Sequence, residues 1–317
     1  MLAVAAPSTL TPLRVANLAK PYGGGRGVSD VSFSVARGSI TGFIGVNGAG
    51  KSTTLKAIVG LIAPDSGNIE LFGQPASFAA RSRLGFLPEE RGLAPRERAS
   101  DAIAFHAQLK GMSRESAYRR ADALLERIGL SGRARARIGE LSKGNAQRVQ
   151  ILCAIAHDPA LLILDEPFSG LDPIAQAEVQ SLFSEFRSQG GAILFSTHSM
   201  VVAERLCDHV VIISDGRTAF EGAVAEATTH APYGVYVTIN DDAALLEIVQ
   251  ALGGEAQPFP SKMSDALRWR VLLPRTVPVP ALMRALAERE LAVHGFEPIQ
   301  ADLEGAFWTL AGQRAAA

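Results

Sequence analysis

Gly45-Val46-Asn47-Gly48-Ala49-Gly50-Lys51-Ser52-Thr53 is the stretch that decides the fold. It fits G-x-x-x-x-G-K-[ST], a loop whose glycines let backbone N–H groups close around a phosphate. Its context agrees with that reading. Ser39 to Ile44 reads as a short apolar strand entering the loop, and a helix is expected from Lys51 to about Gly60. The amides from Gly48 to Thr53 are expected to curl around a β-phosphate, backed by the positive end of the helix dipole. Lys51 would place a cation on the β- and γ-phosphates, and Ser52 would offer a hydroxyl to Mg²⁺. Gly45, Asn47, Ala49 and Gly50 complete the nucleotide-binding set.

Downstream, Leu161-Leu162-Ile163-Leu164 is a buried-strand run ending in Asp165-Glu166. In open parallel sheets, ligands bind at the carboxyl ends of the strands. Asp165 is expected to hold Mg²⁺ through water, and Glu166 to polarise an attacking water within its reach. Beside a matched phosphate loop, this pair is more than a loop start or a helix cap.

The rest of the chain supplies the frame. Residues 12–17 and 28–36 alternate as strands, punctuated by Gly23-Gly24-Gly25 and Arg37-Gly38. Pro64 to Gly67 reads as a turn before a strand at 68–72. From 98 to 150 the text is helical, with Ala102, Ile103, Phe105, His106 and Leu109 on helical spacing, as are Ala121, Leu124, Leu125 and Ile128. Strands return at 161–165, 192–196 and 210–214, and Asp172-Pro173 starts a helix through Phe186. Alternating strands and helices imply a parallel sheet flanked by helices. After 225–232 come strands at 233–240, 267–273 and 291–296 and helices at 243–252, 279–290 and 302–312. That order suits a small α+β appendage of ferredoxin-like type. Trp269 and Trp308 are read as packing anchors within it.

Composition narrows the function classes. Hydrophobic residues make up 47% and charged residues 20% of 317, which predicts a packed core. Lys+Arg 31 against Asp+Glu 32 gives no overall pull toward nucleic acid, and no nucleic-acid partner is expected. Cys153 and Cys207 form neither a CxxC pair nor a metal cluster, so a reduced cytoplasmic protein is expected. Met1 to Leu10 lacks a basic leading region, and no secretory leader is expected there. No run reaches the roughly 20 apolar residues of a membrane span. A membrane role therefore requires spans from another chain.

Taken in order, these elements resemble the ATP-binding cassette (ABC) ATPases over roughly residues 10–225. The mark that separates this family from other phosphate-loop proteins is Leu141-Ser142-Lys143-Gly144-Asn145, which resembles its signature motif. The resemblance implies a phosphate-loop NTPase core with an antiparallel β subdomain and a helical insertion, the ABC ATPase fold. It implies an ABC domain over 10–227, with the helical subdomain at about 98–150, and an accessory α+β domain over 232–317. It places Tyr22 against adenine, and Ser142 and Gly144 on the γ-phosphate of ATP held by another subunit. Ser169-Gly170-Leu171-Asp172 looks like the family's dimer-contact loop, and His198 like its switch histidine. The residue after Gly85-Phe86-Leu87-Pro88 is usually Gln; here Glu89 stands there. It can ligate Mg²⁺ or orient water but, as a carboxylate, cannot donate a hydrogen bond. Lys143 cannot copy a glycine that needs positive φ, so an ordinary conformation is expected there.

The implied activity is ATP hydrolysis with Mg²⁺ as cofactor, by a subunit on the cytoplasmic face of the membrane. Its partners would be a separate integral membrane permease and a second copy of itself or a homologous ATPase subunit. Residues 87–93 and 141–145 look like those of the ABC-2 exporter branch, the sodium- and drug-efflux ATPases. The alternatives are an importer ATPase with a regulatory C-terminal domain, or a non-transport ABC ATPase. A repair or chromosome-organising enzyme would carry a coiled coil or zinc module, and a translation factor a second cassette; neither is present in the sequence. Phe86, Leu93 and Phe105 are candidates for the permease-facing surface, with burial inside the helical subdomain as the competing reading for Phe105.

Overall fold

The computed structural model describes residues 11–315 apart from Gly25, Arg91 and residues 261–266. The expectations about Met1 to Leu10, Gly25 and Arg91 therefore lie wholly or partly outside the described residues. Residues up to Val224 form one compact unit, and Ala225–Gln313 form a second.

The first unit opens with β1 (Leu13–Tyr22) and β2 (Arg26–Val35), an antiparallel pair that buries Leu13, Val15, Leu18, Val31, Phe33 and Val35. β3 (Ile40–Ile44) is buried at every residue and leads into the phosphate loop and α1 (Lys51–Val59). β4 (Ser66–Leu71) and β5 (Gln74–Pro75) extend the antiparallel part. The turn expected to run through Gly67 ends earlier, because Ser66 already pairs with Ala19. A short α2 (Phe78–Arg81) precedes β6 (Leu84–Leu87).

Three helices follow: α3 (Ala99–Leu109), α4 (Arg114–Arg127) and α5 (Lys143–Ile155). They share one core in which α3 contributes Ala99, Ala102, Ile103 and Ala107, and α4 contributes Ala117, Ala121, Leu124 and Leu125. Small alanines let α3 and α4 approach closely. The expected stripe on α3 is therefore only partly right: Phe105 is 50% and Leu109 64% exposed, a pair four residues apart on the outer side. The reading of Phe105 as buried in the helical subdomain is thereby overturned.

The sheet is completed by β7 (Leu161–Asp165), α6 (Pro173–Ser188), β8 (Ala192–Thr197), α7 (Met200–Leu206), β9 (His209–Ser214) and β10 (Arg217–Ala223). Its order is β5-β4-β1-β2-β10-β9-β3-β8-β7-β6. β9, β3, β8, β7 and β6 run parallel, and the β1–β2–β4–β5 part is antiparallel. The buried parallel strands carry continuous apolar runs because both faces are covered. Asp172 caps α6 by accepting from the Ala175 amide at 2.8 Å.

The second unit begins within α8 (Val224–Thr228). It continues as β11 (Gly234–Ile239), α9 (Asp242–Ala251), β12 (Glu255–Phe259), β13 (Leu267–Leu272), α10 (Val279–Glu288), β14 (Val293–Pro298) and α11 (Leu303–Ala315). The order β12-β13-β11-β14, antiparallel throughout, is the ferredoxin-like βαββαβ arrangement. Leu245, Ile248 and Val249 of α9 and Leu282 and Leu286 of α10 cover Val235, Val237, Trp269 and Val271. β12 escapes the sequence reading because it is mostly exposed and carries Pro258, which only an edge strand tolerates. Trp269 is a packing anchor, but Trp308 is 61% exposed, so the expectation fails for it. Among the described residues, no helix is long and apolar enough to cross a membrane.

Candidate nucleotide site

The phosphate loop is shaped by close backbone approach. A Cβ on Gly45 would lie 2.7 Å from Ile213 of β9, and one on Gly50 2.4 Å from Cγ1 of Val28 on β2. Gly48 and Gly50 adopt positive φ, 87° and 106°, which glycine enters without steric cost. The Ala49 amide donates to Val46 O and the Gly216 amide to Ala49 O, both at 3.2 Å. The Ala49 N–H, expected among the phosphate donors, is therefore engaged inside the loop. Thr54 N–H donates to Gly50 O at 3.0 Å, so the Lys51, Ser52 and Thr53 amides ahead of it have no acceptor within the helix. Three free amides at a helix N-terminus suit an anion.

Lys51 is only 7% exposed, and its Nζ donates to Gly45 O at 2.7 Å and Val46 O at 3.2 Å. Burial pushes its ammonium below the ordinary lysine value, while Glu166, Asp165 and Glu89 pull it back. The structure thus brings the basic loop, the acidic pair and Glu89 into one electrostatic neighbourhood. Ser52 and Thr53 are half-buried at the start of α1, and Asn47 is exposed.

The acidic turn is held from the neighbouring strand. Ser196 Oγ on β8 donates to Asp165 Oδ1 and accepts from the Glu166 amide at 3.0 Å. Glu166 has φ 49°, a left-handed conformation that costs a side-chain-bearing residue about 1–2 kcal/mol. His198, exposed just after β8, places Nδ1 2.9 Å from Glu166 Oε1. Sequence reasoning missed Ser196, although a serine directly after the apolar run 192–195 was the available sign.

Ser142 caps α5: its Oγ accepts from the Asn145 amide at 3.2 Å, leaving the hydroxyl hydrogen free to donate outward. Lys143 is the exposed first residue of α5, in ordinary helical conformation as expected. A Cβ on Gly144 would approach Gly170 O at 3.4 Å, so this turn packs against the 169–172 loop. Gln147 donates to Pro167 O at 3.4 Å and Gln150 to Glu90 O at 3.3 Å. One helix therefore touches the backbone beyond Glu166 and beyond Glu89. Tyr22 ends β1 at 45% exposure, paired with Arg26; its ring would lie 3.0 Å from a Cβ on Gly27, whose carbonyl also lies against Gly50.

This donor set fits a magnesium nucleotide. A buried cation and free amides match phosphate oxygens, while a hydroxyl and one or two carboxylates are the sparse protein set Mg²⁺ uses beside phosphates. Among the described residues, no group of three or more His, Cys, Asp or Glu forms a self-sufficient metal cage.

The ABC transporter family model matches residues 28–169. The ABC transporter ATP-binding protein YhaQ of Bacillus subtilis is 36% identical over 214 residues, 68% of this chain and 72% of its own length. Nod factor export ATP-binding protein I of Burkholderia orbicola is 39% identical over 218 residues, covering 68% and 72%. The solved ATP-binding subunit of an ABC transporter superposes with a TM-score of 0.64 at 36% identity, over 69% of this chain and 92% of that one. The cbiO1 structure from Clostridium perfringens, part of the ABC transporter complex cbiONQ, gives 0.61 at 27% identity, over 69% and 91%.

Proposed function

The chain belongs to the ABC transporter family, as an ATP-binding subunit of ATPases coupled to transport, and on that premise we propose that it powers an export permease. The observation that carries the direction is its 39% identity to a protein named for export. The partner would be a separate integral membrane chain, held at the cytoplasmic face, with the exposed Phe105 and half-buried Phe86 and Leu93 as contact candidates. Residues 10–227 would act as the motor and 232–317 as an accessory domain.

In this reading Lys51 and the Lys51–Thr53 amides hold the β- and γ-phosphates, and Tyr22 stacks on adenine. Mg²⁺, held by Ser52, Asp165 and Glu89, would neutralise charge on the phosphate oxygens. Glu166 takes a proton from the attacking water, and His198 at 2.9 Å orients that carboxylate. Ser142 and Gly144 serve the nucleotide of a second subunit, which makes a two-fold pair with two sandwiched nucleotides. ATP closes the pair because both halves bind its γ-phosphate; hydrolysis removes that differential affinity.

The test is purification of the tagged chain from detergent-solubilised membranes, followed by transport in inside-out vesicles with ATP outside. Export predicts a co-purifying multi-span protein and ATP-dependent loading of the lumen with that protein's cargo. ATP-dependent release from the lumen contradicts export and supports an importer.

A further inference from the structure

At the amino-terminal ends of β6, β7 and β8 lies a cleft of about 790 Å³, formed entirely by the first unit. Arg83 immediately precedes β6, Asp158 to Ala160 precede β7, and Gln189 to Gly191 precede β8. Asp165, Glu166 and His198 sit at the opposite ends of β7 and β8. The five residues of β7 separate the two ends by about 16 Å. The cleft is therefore distinct from the nucleotide site, though continuous with it through two strands.

Its charge is one-sided. Arg37, Arg83, Arg120 and Arg127 line it against only two carboxylates, Asp158 and Glu185. Arg120 pairs with Asp158, and Arg127 with Glu185 at 2.8 Å. Arg37 and Arg83 form no ion pair among the described residues. Arg83 holds its guanidinium carbon over the Phe72 ring, 3.8 Å from its centroid, a cation–π contact. Arg120 Nε is buried with no hydrogen-bond partner, a cost that proteins normally remove with an acceptor.

Glycines let neighbouring side chains pack onto the floor. A Cβ on Gly191 would lie 2.2 Å from the Phe186 ring, and Gly190, at φ 87°, leaves the Arg37 guanidinium room at 3.4 Å. Leu124, Leu182 and Phe186 add apolar wall. The volume matches that of a small-molecule site.

We propose that this cleft binds a small organic polyanion, a phosphate ester or polycarboxylate, through Arg37 and Arg83. Guanidinium groups bind both oxyanions by paired hydrogen bonds. The apolar wall covers the ligand's carbon frame.

Titration calorimetry of the full chain with pyrophosphate and with citrate tests this. It is run in a Lys51→Ala background so that phosphate-loop binding does not intrude. The expected result is one site per chain for at least one probe, weakened at least about tenfold by adding Arg37→Ala and Arg83→Ala. Pyrophosphate alone would identify a phosphate ester and citrate alone a polycarboxylate. The arginine double variant with Lys51 intact must bind ATP as wild type does, which shows that it is folded. Failure of both probes to bind, or binding indifferent to the arginines, overturns the proposal.

Discussion

At the residue scale, the acidic turn depends on a side chain from another strand. Glu166 is held at φ 49° with its amide on Ser196 Oγ, and the same hydroxyl donates to Asp165. Ser196→Ala therefore frees the Asp165 carboxylate and the Glu166 amide at once while leaving the phosphate loop intact. Its expected effect is a kcat lowered about 10- to 100-fold with little change in ATP affinity, since positioning losses of this kind act on the reacting geometry. Steady-state hydrolysis and equilibrium ATP binding measure the two separately; unchanged kcat would remove Ser196 from the account. Lys51 was legible from the phosphate-loop spacing, and Asp165 and Glu166 from the apolar strand run they end. Ser196 was not legible, because its role exists only once β7 and β8 pair, with Asp165 beside Ser196. The bond from the Ala49 amide to Val46 O was hidden for a similar reason, as it exists only once the loop turns.

At the element scale, helices and buried parallel strands followed from apolar periodicity and capping residues, whereas exposed edges did not. β12 and the outward turn of Phe105 and Leu109 were hidden because exposure leaves no periodic trace. α3 and the segment before β7 also carry half-buried imidazoles. His106 is held below the ordinary histidine value by burial and by Lys110 nearby, and His157 by burial, while its ring nitrogen lies 3.0 Å from Leu84 O. Both folded values are depressed, so the unfolded chain binds more protons once pH falls through about 6.5, and stability falls with it. Above that pH both states hold neutral rings and the effect vanishes. Thermal or urea unfolding between pH 7.5 and pH 5.5, values chosen to straddle roughly 6.5, should show the loss, and a His106→Gln/His157→Gln variant should show a smaller one. An equal loss in the variant would assign the slope to other groups.

At the scale of the whole molecule, α5 joins the functional parts. Its cap Ser142 faces outward, its Gln147 and Gln150 hold the backbone beyond Glu166 and Glu89, and its first turn packs on Gly170. A helix so placed would transmit the state of one nucleotide site to the surface that meets the next subunit. The sequence carried the family through Leu141 to Asn145, and the ferredoxin-like second unit through its strand and helix order. What that unit recognises was not written in any motif, since its polar residues form no familiar constellation. In the proposed dimer, ATP is bound between the phosphate loop of one copy and Ser142 of another. Its most direct test is the mass of Glu166→Gln with Mg²⁺ and ATP, measured by light scattering, alongside the same chain carrying Ser142→Arg. The account predicts that Glu166→Gln hydrolyses almost no ATP and doubles from 33.5 kDa to a stable dimer, while the Ser142→Arg double variant binds ATP and stays monomeric. A Glu166→Gln chain that turns over ATP at the wild-type rate, or a dimer indifferent to Ser142→Arg, would contradict it.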